Sequence, residues 1–182
     1  MIVTLYNKGE SEMEFILAQA NHLEDICKIT NQAKTQLKSM GLDQWQKGYP
    51  SEEIWKSDIE NQSAWLAIDH NQVLGAFAFQ ITPDPSYYEI DGAWLTSTPY
   101  ASMHRVCVAD EAKGKGVAGR MFAFGFELAT IAGMNSMRID THPDNEPMKR
   151  ALEKAGFLPC GTIILKGGSE DGDLRTAFEK ML

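Results

Sequence analysis

The sequence is poor in several things that would place a protein in a common class. It has only three cysteines among 182 residues, Cys27, Cys107 and Cys160, far apart and with no Cys-x-x-Cys pair. That excludes a disulfide framework and a thiolate metal centre, and the three read as reduced packing thiols. The four histidines, His22, His70, His104 and His142, show no His-Glu-x-x-His or comparable ligand spacing, so no metal site is expected. No run approaches the roughly 18 uninterrupted apolar residues of a membrane span. The first residues lack the basic start, apolar stretch and small-residue cleavage site of a secretory leader. A cytoplasmic protein with no membrane partner is expected. Positive charge is also scarce: 17 Lys and Arg stand against 25 Asp and Glu, a net charge of −8. Phosphate contacts dominate nucleic-acid affinity, so no nucleic-acid partner is expected either. No repeat and no Pro/Gly/Ser-rich linker divides the chain. What is there is ordinary for a globular protein, with 43% hydrophobic and 9% aromatic residues. One domain over residues 1–182 follows, with residues 1–12 as an arm or an added strand.

Hydrophobic periodicity gives the element order β, α, α, β, β, β, β, α, β, α, β, β, an α+β (mixed α/β) class. A strand over Glu14–Ala20 precedes a helix opened by an Asn21/Glu24 capping pattern, with Leu23, Ile26, Ala33 and Leu37 at helical spacing before Gly41. A second helix spans about Ser51–Asn61. Alternating runs at Trp65–Ile68 and Val73–Ile81 form a hairpin. Strand-like runs follow at Tyr87–Leu95 and Met103–Val108. The helix over Gly116–Ala132 stops at Gly133, a strand covers Ser136–His142, and a short helix with Pro147 in its first turn ends before Gly156. Cys160–Leu165 and Arg175–Leu182 are the last strands. Met103–His142 forms one right-handed crossover unit.

The most informative stretch lies between the Met103–Val108 strand and the following helix. Gly114, Gly116 and Gly119 leave backbone N–H groups uncovered at the helix start, and Lys113, Lys115 and Arg120 add positive charge. Such a start binds anions, so a phosphate or pyrophosphate ligand is implied; the plain alternative is a solvated basic turn. The glycines also spell G-x-G-x-x-G, with Asp140 near the place of a ribose-binding acid, which would suggest an NAD(P)-dependent oxidoreductase. Against that reading, five residues separate Val108 from Gly114. A long, mostly antiparallel pattern precedes the unit, and too little chain follows Asp140 for a second nucleotide-binding half.

Lys113-Gly-Lys-Gly-Val-Ala118 resembles the [QR]-x-x-G-x-[GA] loop of the GNAT (general N-acetyltransferase) superfamily, with Lys113 in place of Gln or Arg. Asn145–Phe157 (NEPMKRALEKAGF) resembles that family's N-x-x-A-x-x-L-Y-x-x-x-G-F segment without a gap. The likeness covers Glu14–Leu182. Gly48–Pro50, His104-Arg105 and Asp140–Asn145 resemble a branch of small bacterial members of unassigned substrate.

The resemblance implies a mostly antiparallel twisted sheet with splayed central parallel strands and about four flanking helices. It implies acetyl-CoA as cofactor, with Val106, Cys107 and Val108 pairing with the pantetheine arm. Lys113, Gly114, Lys115, Gly116, Val117, Ala118 and Gly119 would hold the pyrophosphate, and Asn145 would bond the cofactor from the far side or cap its helix. The implied reaction is direct acetyl transfer to the primary amine of a small molecule or peptide, with a backbone N–H near Val108 for the oxyanion. An acyl-CoA sensor with little turnover is the alternative. The acceptor must lose a proton, so a base is wanted. His104 is the first choice, since alternation places it on the face of Val106, although a histidine anchored in the sheet fits equally well. Glu89 and His142 are weaker choices. Trp45, Tyr49 and Glu89 are expected at the acceptor, near Gln44 and Trp55, where aromatics either cover a cationic amine or pack. Leu152 stands where the family's tyrosine protonates the departing thiolate. A homodimer is the family's frequent assembly.

Overall fold

The computed structural model describes residues 2–3, 13–97 and 99–182. Nine strands form one sheet among these residues: β1 (Ile2–Val3), β2 (Glu14–Leu17), β3 (Ala64–Asp69), β4 (Gln72–Gln80), β5 (Asp91–Gly92), β6 (Tyr100–Val108), β7 (Ser136–Thr141), β8 (Leu158–Ile164) and β9 (Leu174–Met181). Their order is β1-β2-β3-β4-β6-β7-β9-β8-β5. Every pairing is antiparallel except β6 with β7. This is the expected mostly antiparallel sheet with a central parallel pair, and it is not the parallel sheet that the dinucleotide-binding reading of G-x-G-x-x-G requires. The expected arm or strand over residues 1–12 is described only at Ile2–Val3, which pairs with Phe15–Ile16; the rest lies outside the described residues.

Four helices flank the sheet: α1 (Leu23–Ser39), α2 (Glu52–Glu60), α3 (Val117–Ile131) and α4 (Glu146–Lys154). Three of them stop by the same device. Gly41, Gly133 and Gly156 take φ of 78°, 72° and 89°. The next residue's N–H then reaches back five positions, as Leu42 to Leu37, Met134 to Ala129 and Phe157 to Leu152. Only glycine enters that left-handed position without a Cβ penalty. The start of α1 differs from expectation. A 3-10 turn, Ala20–His22, comes first, and Gln19 N–H donates to His22 Nδ1 at 3.0 Å. The reciprocal cap is therefore Gln19/His22, not Asn21/Glu24.

α1 and α3 cover opposite faces. Neighbouring residues of a strand point opposite ways, and Gly75 backs onto Met121 of α3 while Cys107, paired with Ala76, meets Thr30 of α1. The Tyr87–Leu95 run is a correction. It holds a 3-10 turn, Pro85–Tyr87, and only Asp91–Gly92 pairs as a strand. Tyr87 and Trp94 belong to a second cluster with Tyr100 and Ile163, while Tyr88 is exposed. β6 also starts three residues earlier than the alternation showed, at Tyr100.

Candidate functional site

β6 and β7 pair only over Tyr100–Ser102 with Ser136–Arg138. Beyond that point β6 runs on through Met103–Val108 and β7 through Ile139–Thr141, and the two separate. The split produces the one place where facing central strands leave backbone edges unpaired among the described residues. Two cavities fill it and share Gln44, Trp45, Val106 and Met148.

The first, about 300 Å³, lies under α1 and α4. Val106, Cys107, Val108, Lys113, Gly114, Ala118 and Asn145 are in its wall, so the expected cofactor residues of strand, loop and far side come together there. At the mouth, Arg120 N–H donates to Gly116 O as the first bond of α3, so the N–H groups of Val117, Ala118 and Gly119 precede the helical ladder. Gly114 and Gly116 take φ of 75° and 78°, and a Cβ added at Gly114, Gly116 or Gly119 would meet no atom within 4 Å. The helix start is therefore open, and an anionic group can approach the amides closely. Lys113 is partly committed, because its Nζ holds Asp110 Oδ1 at 2.5 Å. Cys107 is no nucleophile. Burial pushes its thiol up to about 12, against the bonds it makes to Thr30 and the Ala76 carbonyl.

Of the two roles open to it in sequence, Asn145 takes the helix cap. Its Oδ1 accepts from Met148 N–H at 3.3 Å and caps α4, while the side chain lines the cavity. Its Nδ2 donates to Gln44 Oε1 at 3.2 Å, which ties the end of the split to the loop after α1. Leu152 is fully buried and anchors the end of α4 against Phe157. Of the groups lining this cavity only Cys107 and Lys113 titrate, so no acid is poised there.

The second cavity, about 350 Å³, lies beyond Val106 and is far more polar. Trp45 and Tyr49 line it. Trp45 N–H donates to Glu170 Oε1, and Tyr49 Oη accepts from Arg105 at 2.7 Å. Arg105 also grips Asp58 through two nitrogens, at 2.8 and 2.9 Å. Trp55 is core: it is 1% exposed, and its indole N–H donates to Thr30. Glu89 is not brought in; its side chain is 82% exposed and pairs outward with Lys166. His142 sits outside both walls, with Nδ1 accepting from Asp144 N–H and Nε2 3.2 Å from Asp43.

His104 does line the second cavity, although the alternation argument for it fails. Ala76 faces Cys107 and Ala78 faces His104, so two residues of β6, Arg105 and Val106, stand opposite Phe77 alone. Arg105 takes φ of 57° in this bulge. His104 therefore shares its register face with Cys107, not Val106. Its Nε2 lies 3.0 Å from Ser102 Oγ and 3.6 Å from Asp84. Burial and the adjacent Arg105 push its pKa down to about 4, so the ring is neutral at pH 7.

Sequence reasoning missed the carboxylates here. Asp84 and Asp140 both line the wall, and Asp140 Oδ1 accepts from the buried Tyr87 hydroxyl at 2.8 Å. Asp140 had a visible signal in its place at the end of a crossover strand. Tyr87 had none, because nothing local marks a partner 53 residues away.

The Acetyltransferase (GNAT) family model matches residues 23–157. Among solved structures, a GNAT-family acetyltransferase from Streptococcus agalactiae is 29% identical, with TM-score 0.80 over 94% of this chain and 96% of that one. A GNAT-family acetyltransferase from Listeria monocytogenes is 20% identical, with TM-score 0.69 over 97% and 100%. A Salmonella typhimurium protein solved with its cofactor acetyl-CoA is 15% identical, with TM-score 0.65 over 93% and 94%. Among curated proteins, none matches this sequence.

Proposed function

Because the chain belongs to the GNAT acetyltransferase family, whose acyl donor is acetyl-CoA, we propose that it transfers the acetyl group directly to the primary amine of a small molecule or peptide. The observation that carries this reading is the β6–β7 split. It joins an apolar cavity opening at a glycine-started helix to a polar cavity of acceptor size. The residues fit the donor: an unpaired strand edge at Val106–Val108 suits the amides of an extended arm, and the open amides of Val117–Gly119 suit a pyrophosphate. When bound, acetyl-CoA supplies a thioester carbonyl and a thiolate leaving group.

The chain's own part is to hold, orient and exclude water. Val106, Cys107 and Val108 present the strand edge, Lys113 through Gly119 form the anion cradle, and Asn145 with Gln44 fixes the far wall. Trp45 and Tyr49 confine the acceptor, and His104 faces it from β6. Leu152 can give no proton, so a departing thiolate would have to take its proton from water, which a thiol pKa of roughly 8.5 makes tolerable. A cytoplasmic enzyme, assembled as a homodimer, belongs to the same reading.

Gly119→Asp tests the cradle. The position lies in the first turn of α3 with open space around it, and an acidic side chain there suits the helix dipole. The fold should stand while a negative charge meets the pyrophosphate. Calorimetry should show acetyl-CoA affinity weakened at least about 100-fold, a loss of ~2.7 kcal/mol. Unchanged affinity removes the cofactor assignment. Mass-spectrometric screening of the unmodified protein with alkylamines, phosphinothricin and an alanyl peptide then tests the acceptor. Phosphinothricin and alanine are acceptors named for structural neighbours that share the fold. Tight acetyl-CoA binding with no acetylated product from any amine would favour the sensor.

A further inference from the structure

Acetyl transfer to an amine requires the neutral form, whereas an alkylammonium keeps its proton to a pKa near ~10. A group in the acceptor cavity has to receive it, and the best proton acceptors have a pKa close to the working pH. Most of the titratable groups there are occupied. Glu170 takes the Trp45 N–H and lies 3.1 Å from Arg175, which fixes one loop to another. Asp84 Oδ1 accepts from Ser86 N–H at 2.7 Å. His104, held near Ser102 and beside Arg105, is a poor base.

Asp140 is placed differently. It stands on β7 two residues past Arg138, the last residue paired with β6, and so at the mouth of the split. Tyr87, 2% exposed, donates to its Oδ1, and no other hydrogen bond reaches the carboxyl among the described residues. Burial raises its pKa to about 6; the Tyr87 bond and Arg175 oppose the rise, and Asp84 and Glu170 add to it.

From this geometry we propose that Asp140, positioned by the buried Tyr87 hydroxyl at the mouth of the β6–β7 split, takes the proton from the acceptor amine. The inference rests on the acetyl-transfer reading of the same cavity. The proton leaves the ammonium nitrogen and ends on Asp140 Oδ2. Carboxylate becomes carboxylic acid, ammonium becomes neutral amine, and no further reactant enters. Asp84, His104, Arg105, Lys166, Glu170, Arg175 and the Tyr49 hydroxyl are the charged or titratable groups in this wall; Arg105 is held by Asp58 and Tyr49, and Lys166 by Glu89. His104 is neutral and Glu170 is paired with Arg175, which leaves Asp84 as the charge that supports an incoming cation.

Ethylamine is a suitable acceptor probe, being small enough for the cavity. With it, kcat/KM of the unmodified enzyme should fall below an apparent pKa of about 6. Asp140→Asn should lower kcat about 100-fold and erase that limb while acetyl-CoA affinity is retained. His104→Gln should keep the limb, and Tyr87→Phe should move it to higher pH by removing a bond that favours the ionised carboxylate. A limb that survives Asp140→Asn, or disappears in His104→Gln, overturns the proposal. Carbon-13 labelling of aspartate gives a readout independent of turnover. The Asp140 carboxyl should titrate near pH 6 and shift when ethylamine is added. A carboxyl that titrates in the ordinary range and ignores ethylamine overturns the assignment even if acetyl transfer occurs. Failure of the parent reading shows separately, as absence of acetyl-CoA binding.

Discussion

Two residues of the polar cavity, His104 and Asp140, carry pKa shifts of opposite consequence. Burial lifts Asp140 from 3.8 to about 6, so the folded protein binds a proton the unfolded chain has released. Its stability contribution is present below pH 3.8 and is lost as pH rises through 6. Burial lowers His104 from 6.5 to about 4, so the unfolded chain is the one that binds more readily. Its contribution is present above pH 6.5 and is lost as pH falls through 4. Each is worth at most about 3 kcal/mol, and between pH 4 and 6 the two largely cancel. Asp140→Asn should therefore stabilise the protein, relative to the unmodified chain, by about 2–3 kcal/mol more at pH 7 than at pH 4. His104→Gln should do the opposite and favour the acidic side. Urea unfolding of the three proteins across this range reads the difference directly. A stability difference that does not change with pH would show that neither side chain is shifted as its surroundings require. A gain in stability on losing Asp140 is the usual mark of a buried group kept for chemistry.

Among the elements, α3 was the most legible and also holds the clearest contrast between two glycines. Gly119 faces open space in ordinary helical conformation, so Gly119→Ala should stabilise by about 0.5–1 kcal/mol. Gly125, six residues on, lies where α3 crosses β6 and β7, and an added Cβ would come 2.6 Å from Met103 Sδ and 3.2 Å from Met137 Cε. Gly125→Ala should cost about 1–3 kcal/mol as the methionines shift. Thermal denaturation of the pair decides it, and equal effects would mean the α3–sheet contact is looser than this spacing.

The same contrast explains what sequence could and could not convey. Helix ends were readable because a single glycine enforces each, at Gly41, Gly133 and Gly156. The hairpin of β3 and β4 was readable because alternation is local. Tyr87–Leu95 looks like a strand because it is rich in apolar residues, yet Tyr87, Ile90 and Trp94 pack on Tyr100 and Ile163, far away in sequence, while Tyr88 and Leu95 stay exposed. The bulge at Arg105 has no local signature either, and the partners of its guanidinium, Asp58 and Tyr49, lie some fifty residues back in the sequence. The open glycine loop could be read from glycine spacing, because backbone makes it. The polar cavity could not, because Asp84, His104, Asp140 and Glu170 meet there only through tertiary folding.

At the scale of the molecule, two half-sheets meet in the three paired positions of β6 and β7, a short seam for a central junction. A buried polar network crosses it. Glu179 on β9, 0% exposed, accepts from Ser136, Thr96 and the Leu95 N–H, and from Arg138 Nε at 3.1 Å. The Arg138 guanidinium is sandwiched between Trp94 and Tyr100, 4.1 and 3.9 Å from the ring centres. Burial pushes the Glu179 carboxyl up, but the bonds from Ser136, Thr96 and Arg138 hold it below the usual range. Arg138 is also the last residue of β7 paired to β6, so this network sits where the split begins. Glu179→Gln would leave the Arg138 charge buried without its counter-ion and should cost about 3–5 kcal/mol. Replacing both, as Glu179→Gln with Arg138→Met, should recover part of that loss, because the uncompensated charge goes with the arginine. A ligand that binds only the folded chain stabilises it, so acetyl-CoA at 100 times Kd should return about 2.7 kcal/mol to the single variant. Denaturant unfolding with and without acetyl-CoA measures all three quantities. A loss under about 1 kcal/mol for Glu179→Gln would mean that packing, not this network, holds the seam at which the β6–β7 cleft opens.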